Sequence, residues 1–393
     1  MNILYGIVGE GMGHATRSRV VLEHLLAQGH SVRVVVSNKA YHFLVQKLGQ
    51  HPNLVIHQIE GFQLEYEASG MKLGKTIATN FKKLPQSLFQ NVRVYRQMQR
   101  EGFKPDVVFS DFDSWAWLYA MNHRLPLISL DNQQAMTRCH HLHGLVEPTE
   151  ESSFSLTKGF VRGKVPFAYH YLVTGFAHPP VAKKRTTLLP PILRPEVLEA
   201  ERKPGEHVMV YHHSAQEPQF LEALRKLPSY FRVYGCDRTE QLGNVTLRAF
   251  DESQFIHDLA TAKAVVAGGG FSLMCEAVHL KVPMFTIPIA KQAEQLFNAR
   301  YLEKLGYGVV GDTFDPEAIN TFLQNHRVYQ RALKRYQPYD NTMLYGCVDE
   351  LLDLISQREP APAALQHPAM GKYQGPVLPL KWEQRLALTG AVG

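Results

Sequence analysis

The sequence predicts an α/β protein made of two Rossmann-like, doubly wound domains that face each other across a cleft. Three observations carry that reading. Short apolar runs alternate with helix-length segments through both halves of the chain, the signature of βαβ units on a parallel sheet. Each half holds a strand that ends in a glycine-rich turn and runs into a helix: "GEGMGHATRS" at 9–18 and "AGGGFSLMCEA" at 267–277. At 393 residues the chain is also longer than one ordinary core encloses.

In chain order, "NILYGIV" reads as a strand, "ATRSRVVLEHLLAQG" as a helix closed by Gly29, and "SVRVVV" as a second strand. "DVVFSDF", "SWAWLYAMNHRL" and "PLISLD" repeat the strand–helix–strand pattern. "HPPVAKKRTTLLPPILRPEV" is proline-rich and basic without a period, so an extended linker is expected over 176–205. Alternation restarts with "HVMVYHH" and continues through "YFRVYG", "NVTLRAF", "KAVVAGGG" and "VPMFTIP". The expected organisation is a first Rossmann-like domain over 1–175, the linker, a second Rossmann-like domain over 206–345, and a helix with a proline-rich tail over 346–393.

Composition narrows the function class. No stretch approaches the ~20 apolar residues of a membrane span, and the N-terminal residues lack the basic n-region of a secretory signal. Cys139, Cys236, Cys275 and Cys347 are too scattered for a zinc site or a disulfide framework, so reduced thiols and a cytoplasmic location are expected. The formal net charge of +6 suits a phosphorylated substrate or an anionic membrane face. No nucleic-acid-binding motif accompanies it, so nucleic acid is not an expected partner.

The strongest local signal is "AVVAGGGFSLMCEA". Gly268, Gly269 and Gly270 leave backbone amides uncovered where a helix begins, which favours an anion through direct hydrogen bonds and the helix dipole. Ser272 adds a hydroxyl. Glu276 falls one turn further on the same face, where a carboxylate suits a ribose diol better than a phosphate. Downstream, "VPMFTIPIAKQAEQLFNARYLEKLGYG" completes an ordered series: Gly-Gly-x-Ser-x-x-x-Glu-Ala, Val-Pro, Ile-Pro, Glu-Gln-x-x-Asn-Ala and Leu-Gly-Tyr-Gly. Over about 250–308 this series resembles the donor half of GT-B glycosyltransferases, closest to the MurG-like and UDP-glycosyltransferase-like group with its glycosyltransferase 28-type C-terminal domain.

The resemblance implies residue roles. Gly269, Gly270 and Ser272 would hold the donor diphosphate and Glu276 the ribose. Glu294 and Gln295 would contact sugar hydroxyls, with Glu294 standing where Asp or Gln is usual. Phe255 would lie in the segment that caps the nucleobase, and Ser214, after "HVMVYHH", would reach the phosphates. No cofactor is expected beyond the nucleotide sugar itself, which is a co-substrate.

His14 in the first glycine turn is the candidate general base for an acceptor hydroxyl. A helix N-terminus suits a neutral ring able to accept a proton; the plainer alternative is a histidine bonding a local carbonyl. Such a base needs an orienting carboxylate, and "VVFSDFDSW" offers Asp111 first, with Asp113 as the alternative or as a cap of the next helix. Their Asp-x-Asp spacing is read as coincidental, not as a metal site. Gly11 and Gly13 would let substrate approach the backbone, and Arg17, one turn on, would meet an anionic acceptor or the leaving phosphate. A dinucleotide site is excluded because "SVRVVVSNKAYHF" lacks the acidic residue that would hold the ribose.

The expectation is an inverting, metal-independent transferase that uses a nucleotide sugar, most simply a UDP-sugar. Its alternatives are a nucleotide-sugar hydrolase or 2-epimerase of the same fold, or a non-catalytic UDP-sugar-binding protein. For the acceptor, Lys75, Lys82, Lys83, Arg93, Arg96 and Arg100 interleave with Phe81, Leu84, Leu88 and Phe89. That pattern would rest on an anionic leaflet and present a lipid or cell-envelope glycan; "FVRGKVPFAYHYLVTGF" is a second such segment.

Overall fold

The computed structural model describes residues 1–365 apart from 10, 62–65, 68–69, 72 and 291. Among these, the first sheet has strands β1 (Asn2–Ile7), β2 (Ser31–Val36), β3 (Leu54–Gln58), β4 (Val107–Asp111), β5 (Leu127–Asp131), β6 (His170–Thr174) and β7 (Thr186–Leu189). Their order is β3-β2-β1-β4-β5-β6-β7, with every neighbouring pair parallel. The second sheet comprises β8 (His207–Tyr211), β9 (Tyr230–Tyr234), β10 (Glu240–Leu242), β11 (Val245–Arg248), β12 (Ala264–Ala267), β13 (Met284–Thr286) and β14 (Gly308–Val310). It runs β10-β11-β9-β8-β12-β13-β14, parallel except for the edge pair β10–β11.

The central strands are covered by helices on both faces, which is why their sequences are nearly continuous apolar runs. Val107 to Asp111 are all buried, the last two polar, so those two side chains must find partners inside the protein. Strand order reverses between β1 and β4 in one sheet and between β8 and β12 in the other. In open α/β sheets the ligand crevice opens outside the strand C-termini at that point. The loops leaving these four strands carry Gly9–Gly11, Phe112, His212–Ser214 and Gly268–Gly270.

Two stretches differ from a simple two-domain-plus-linker plan. Within 176–205, Thr186–Leu189 is a strand paired along β6, and Pro195–Leu198 forms one helical turn. The β-branched threonines between prolines fit a pleated strand better than a spacer. The last described helix, Thr342–Ser356, follows the second sheet in the chain yet packs into the first domain. Met343, Leu344, Cys347, Val348, Leu351 and Leu352 join Ile3, Leu22 and Leu25 in one core. Asn341 fixes the crossing by a two-way hydrogen bond with the Leu193 backbone, at 2.6 and 3.2 Å. The tail with "KWEQRLALTG" lies outside the described residues.

Candidate active site

Two helices bring their N-termini to the cleft. Helix α1 (Met12–Ala27) follows β1 and begins at an extended Gly11 with no side-chain cap. Further along the chain lie α2 (Leu73–Arg100), α3 (Ser114–His123), α4 (Glu151–Lys164) and α5 (Glu252–Thr261). Helix α6 (Phe271–His279) follows β12 and begins at Gly270, likewise without a side-chain cap. They are followed by α7 (Ala293–Lys304). The first amides of α1 and α6 are therefore free of side-chain competitors for an anion. The two turns meet closely: a Cβ at Gly13 would sit 2.5 Å from the Ser272 hydroxyl. Among the described residues, none would lie within 4 Å of a Cβ at Gly11 or Gly270.

His14 stands on the first turn of α1. Its Nδ1 lies 2.8 Å from Asp111 Oδ1, at the end of β4, and its ring stacks at 6.5 Å on Phe112. Phe112 holds a left-handed φ of 56°, costly for a bulky side chain. That turn separates the two neighbouring carboxylates. Asp111 faces α1, whereas Asp113 accepts from the Ala116 amide at 2.8 Å as the N-cap of α3.

Asp111 is fully buried and fully engaged. Arg17 donates from Nε to Oδ2 at 2.8 Å and from Nη2 to Oδ1 at 2.5 Å, and Ser18 donates to Oδ2 at 2.9 Å. Burial opposes ionisation here, but the Arg17 guanidinium and the His14 ring outweigh it and hold the Asp111 carboxyl at about 2. Arg17 Nη2 also lies 2.7 Å from His14 Nδ1. An ionised carboxylate is the stronger acceptor, so we assign the ring proton to Nδ1, pointing at Asp111. The Nε2 lone pair is then available, and the Gln133 amide nitrogen lies 3.3 Å from it.

Residues 1–326 match the family described as glycosyl transferase family 1. The chain belongs to that family. An uncharacterized glycosyltransferase of Methanosarcina mazei is 26% identical over 368 residues, covering 86% of this chain and 93% of that protein. The UDP-N-acetylglucosamine--N-acetylmuramyl-(pentapeptide) pyrophosphoryl-undecaprenol N-acetylglucosamine transferase of Geobacillus kaustophilus is 36% identical over 105 residues, 25% of this chain and 28% of that one. Among solved structures, a UDP-glucose: anthocyanidin 3-O-glucosyltransferase in complex with UDP superposes with TM-score 0.62 and 15% identity, covering 91% and 99% of the two chains. MurG of Acinetobacter baumannii gives 0.54 and 17%, over 91% and 99%. These structural neighbours are GT-B glycosyltransferases, and the two-sheet architecture of this chain is the GT-B fold.

In this glycosyltransferase several expected site residues have other partners. The Phe255 side chain faces inward: it is 4% exposed, packed against Tyr211, Tyr234 and Phe250. The exposed aromatics at that place are Phe250 and Tyr211, at 60% and 43%. Helical periodicity puts Phe255 on the inner face of α5, beside Ile256 and Leu259.

Arg17 is not presented to an acceptor; it is 5% exposed and committed to Asp111 and Asn132. Glu276 faces Arg194, which donates Nε to Oε1 at 2.8 Å and Nη2 to Oε2 at 3.0 Å. Burial raises the Glu276 carboxyl against the pull of Arg194. Gln295 turns its carbonyl onto the loop, accepting from Gly269 N at 3.0 Å and Ile289 N at 3.1 Å. It therefore braces the glycine turn and occupies the Gly269 amide. The Ser214 amide donates to His212 Nδ1 at 3.2 Å in the turn after β8. That turn adjoins the Gly268–Gly270 turn, because a Cβ at Gly268 would lie 4.0 Å from the His212 ring and 3.5 Å from Gln295 Oε1. Among the described residues no group of three His, Cys, Asp or Glu is placed to hold a metal.

The sequence reading missed the turn after β5, "DNQQ". Asp131 is buried, accepting from Ser129 Oγ at 2.9 Å and Gln134 N at 2.7 Å, and burial pushes its carboxyl up to about 7. Asn132 and Gln133 both reach the site. The available signal was a carboxylate at the end of a buried strand of the first domain, the same signal that singled out Asp111.

Asp131 yields a pH prediction. A raised carboxyl costs folding nothing below its unfolded value of roughly 4, a cost that grows as pH rises to about 7 and then levels. Asp131→Asn keeps the shape without the charge. Its stability relative to wild type, from denaturant unfolding, should increase steadily from pH 4 to pH 7 and stay constant above. A pH-independent difference would show that Asp131 is ionised throughout.

Proposed function

We propose that this glycosyltransferase transfers a sugar from a nucleotide sugar, most simply a UDP-sugar, to an acceptor hydroxyl in one inverting displacement without a metal ion. The supporting observation is the His14 ring, aligned by Asp111 at 2.8 Å on the acceptor side of the cleft and opposite the Gly268–Gly270 turn. His14 Nε2 would take the hydroxyl proton as the acceptor oxygen bonds to the sugar C1. The bond from C1 to the phosphate oxygen breaks, and the nucleoside diphosphate leaves with the electron pair. Amides at the start of α6 and the helix dipole would stabilise the charge that develops there. Comparison proteins whose names specify UDP-sugars favour uridine as the nucleoside.

The acceptor half offers a cavity of about 560 Å³ at the C-terminal edge of the first sheet. Val8, Ile59, Trp115, Leu118 and Phe160 give it apolar walls, and Lys164 stands 5.6 Å from the Phe112 and Phe160 rings. Leu88, Phe89 and Val92 on α2 are exposed, beside the exposed Arg93, Arg96 and Arg100. This pattern supports an acceptor with an apolar portion, lipid-linked or a cell-envelope glycan, and peripheral contact with an anionic leaflet. The side chains of Lys75, Phe81, Lys82, Lys83 and Leu84 lie outside the described residues. In the second segment, His170–Thr174 is an interior strand and faces no membrane; Phe160 and Phe167 are its exposed aromatics. No helix among the described residues is long and apolar enough to cross a membrane.

A thermal-shift screen against nucleotide sugars, then mass spectrometry of products with a lipid extract as acceptor, tests the reading. A glycosylated product with stoichiometric UDP is expected. Free sugar without any acceptor would make the protein a hydrolase, and interconverted nucleotide sugars without UDP would make it an epimerase.

A further inference from the structure

Asn132 joins the two halves of the cleft. It follows β5 in the first domain, is 5% exposed, and accepts from Arg17 Nη1 at 2.5 Å through Oδ1. Its amide nitrogen donates to Glu294 Oε1 at 3.1 Å, in the first turn of α7 in the second domain. The orientation of this amide follows from chemistry. A guanidinium can only donate and a carboxylate can only accept, so the oxygen must face Arg17 and the nitrogen Glu294. No other neutral side chain of this length offers an acceptor at one end and a donor at the other. An unbroken chain results: His14 to Asp111, Asp111 to Arg17, Arg17 to Asn132, Asn132 to Glu294.

We propose that Asn132 is a positioning residue that makes alignment of the His14 base depend on Glu294, and so on closure of the donor half over the acceptor half. This rests on the base role proposed for His14. With Glu294 in place, Asn132 holds one end of the Arg17 fork while the other end grips both Asp111 oxygens, and Asp111 in turn fixes the tautomer and direction of the ring. When the halves part, the Asn132 amide loses its acceptor, Glu294, and Arg17 loses a fixed acceptor in turn. The base then relaxes before an acceptor or water can react. Glu294 thus reports donor-side docking to the proton acceptor, and its carboxylate oxygen Oε2 remains for a sugar hydroxyl.

The test is a double-mutant cycle. Asn132→Asp preserves size and the acceptor toward Arg17 but sets a carboxylate oxygen against Glu294. Glu294→Gln restores a donor there and, alone, still accepts from the Asn132 amide. Turnover is read as UDP release from UDP-N-acetylglucosamine, or from whichever UDP-sugar the screen shows to be turned over faster. Asn132→Asp should lower kcat ~30-fold in the wild-type background with acceptor KM within about 3-fold, as expected for a charged hydrogen bond turned repulsive. In the Glu294→Gln background the same change should cost less than ~3-fold. Equal losses in both backgrounds would overturn the proposal, as would complete inactivity of Glu294→Gln. Repulsion across this contact would also lower stability and be relieved by Glu294→Gln, so denaturant unfolding is measured for each variant; a kcat loss that merely follows the fraction of folded protein would overturn the proposal as well. His14→Ala is measured alongside: if it keeps normal turnover the base reading itself fails, whereas an inactive His14→Ala with an additive cycle removes only the role of Asn132.

Discussion

Replacing His14 by alanine is expected to lower turnover by at least ~10²-fold while leaving folding and nucleotide-sugar binding unchanged. The ring is 15% exposed, and its loss leaves Asp111 still held by Arg17 and Ser18. Thermal shifts with donor should therefore match wild type. Near-normal UDP release from the His14→Ala protein would exclude the base role. Asp111→Asn should be equally inactive, for a compound reason. An amide can orient the ring in the wrong tautomer, and it leaves the buried Arg17 guanidinium without its counter-charge. Unfolding of Asp111→Asn should thus be measured with its kinetics, since only His14→Ala isolates the proton transfer.

Arg194→Ala carries the largest expected effect on stability, about 3–5 kcal/mol in denaturant unfolding. Arg194 sits in the connection between the domains, 7% exposed, and pairs with Glu276 and Glu252. Glu252 in turn meets Lys47 at 2.6 Å, and Arg19 meets Glu196 at 2.6 Å, so ions from both domains and the connection converge. Removing the guanidinium strands the Glu276 carboxylate in a buried site. The double change Arg194→Met with Glu276→Met should recover most of the loss, because two apolar side chains of similar size need no counter-charge. Similar destabilisation in single and double variants would mean that packing of the arginine stem, not its charge, holds the domains at this point.

Much of this molecule follows from periodicity alone. "SVRVVV", "DVVFSDF" and "KAVVAGGG" became strands where their apolar runs placed them, because parallel strands buried on both faces admit little else. The glycine turns announced the two helix N-termini, and at Gly9, Gly13 and Gly269 a Cβ would strike a neighbouring residue. The same patterns could not reveal that "TTLL", flanked by prolines, would complete the first sheet. Nor could they show that the last described helix returns to the first domain; its apolar face matches any core, and only the full fold has an open place for it.

For the site, the sequence determined which residue types stand at the strand ends, and so the family, the cleft and the pair His14 and Asp111 as candidates. The tertiary structure decided partners and directions. Arg17 serves Asp111, Arg194 claims Glu276, Gln295 braces the glycine turn, and Phe255 points inward. These assignments depend on where long side chains find complementary charge or apolar volume across two separately folded sheets. A local pattern fixes the face on which a residue stands, whereas the group waiting opposite comes from chain more than a hundred residues away, as Asn132 and Glu294 do.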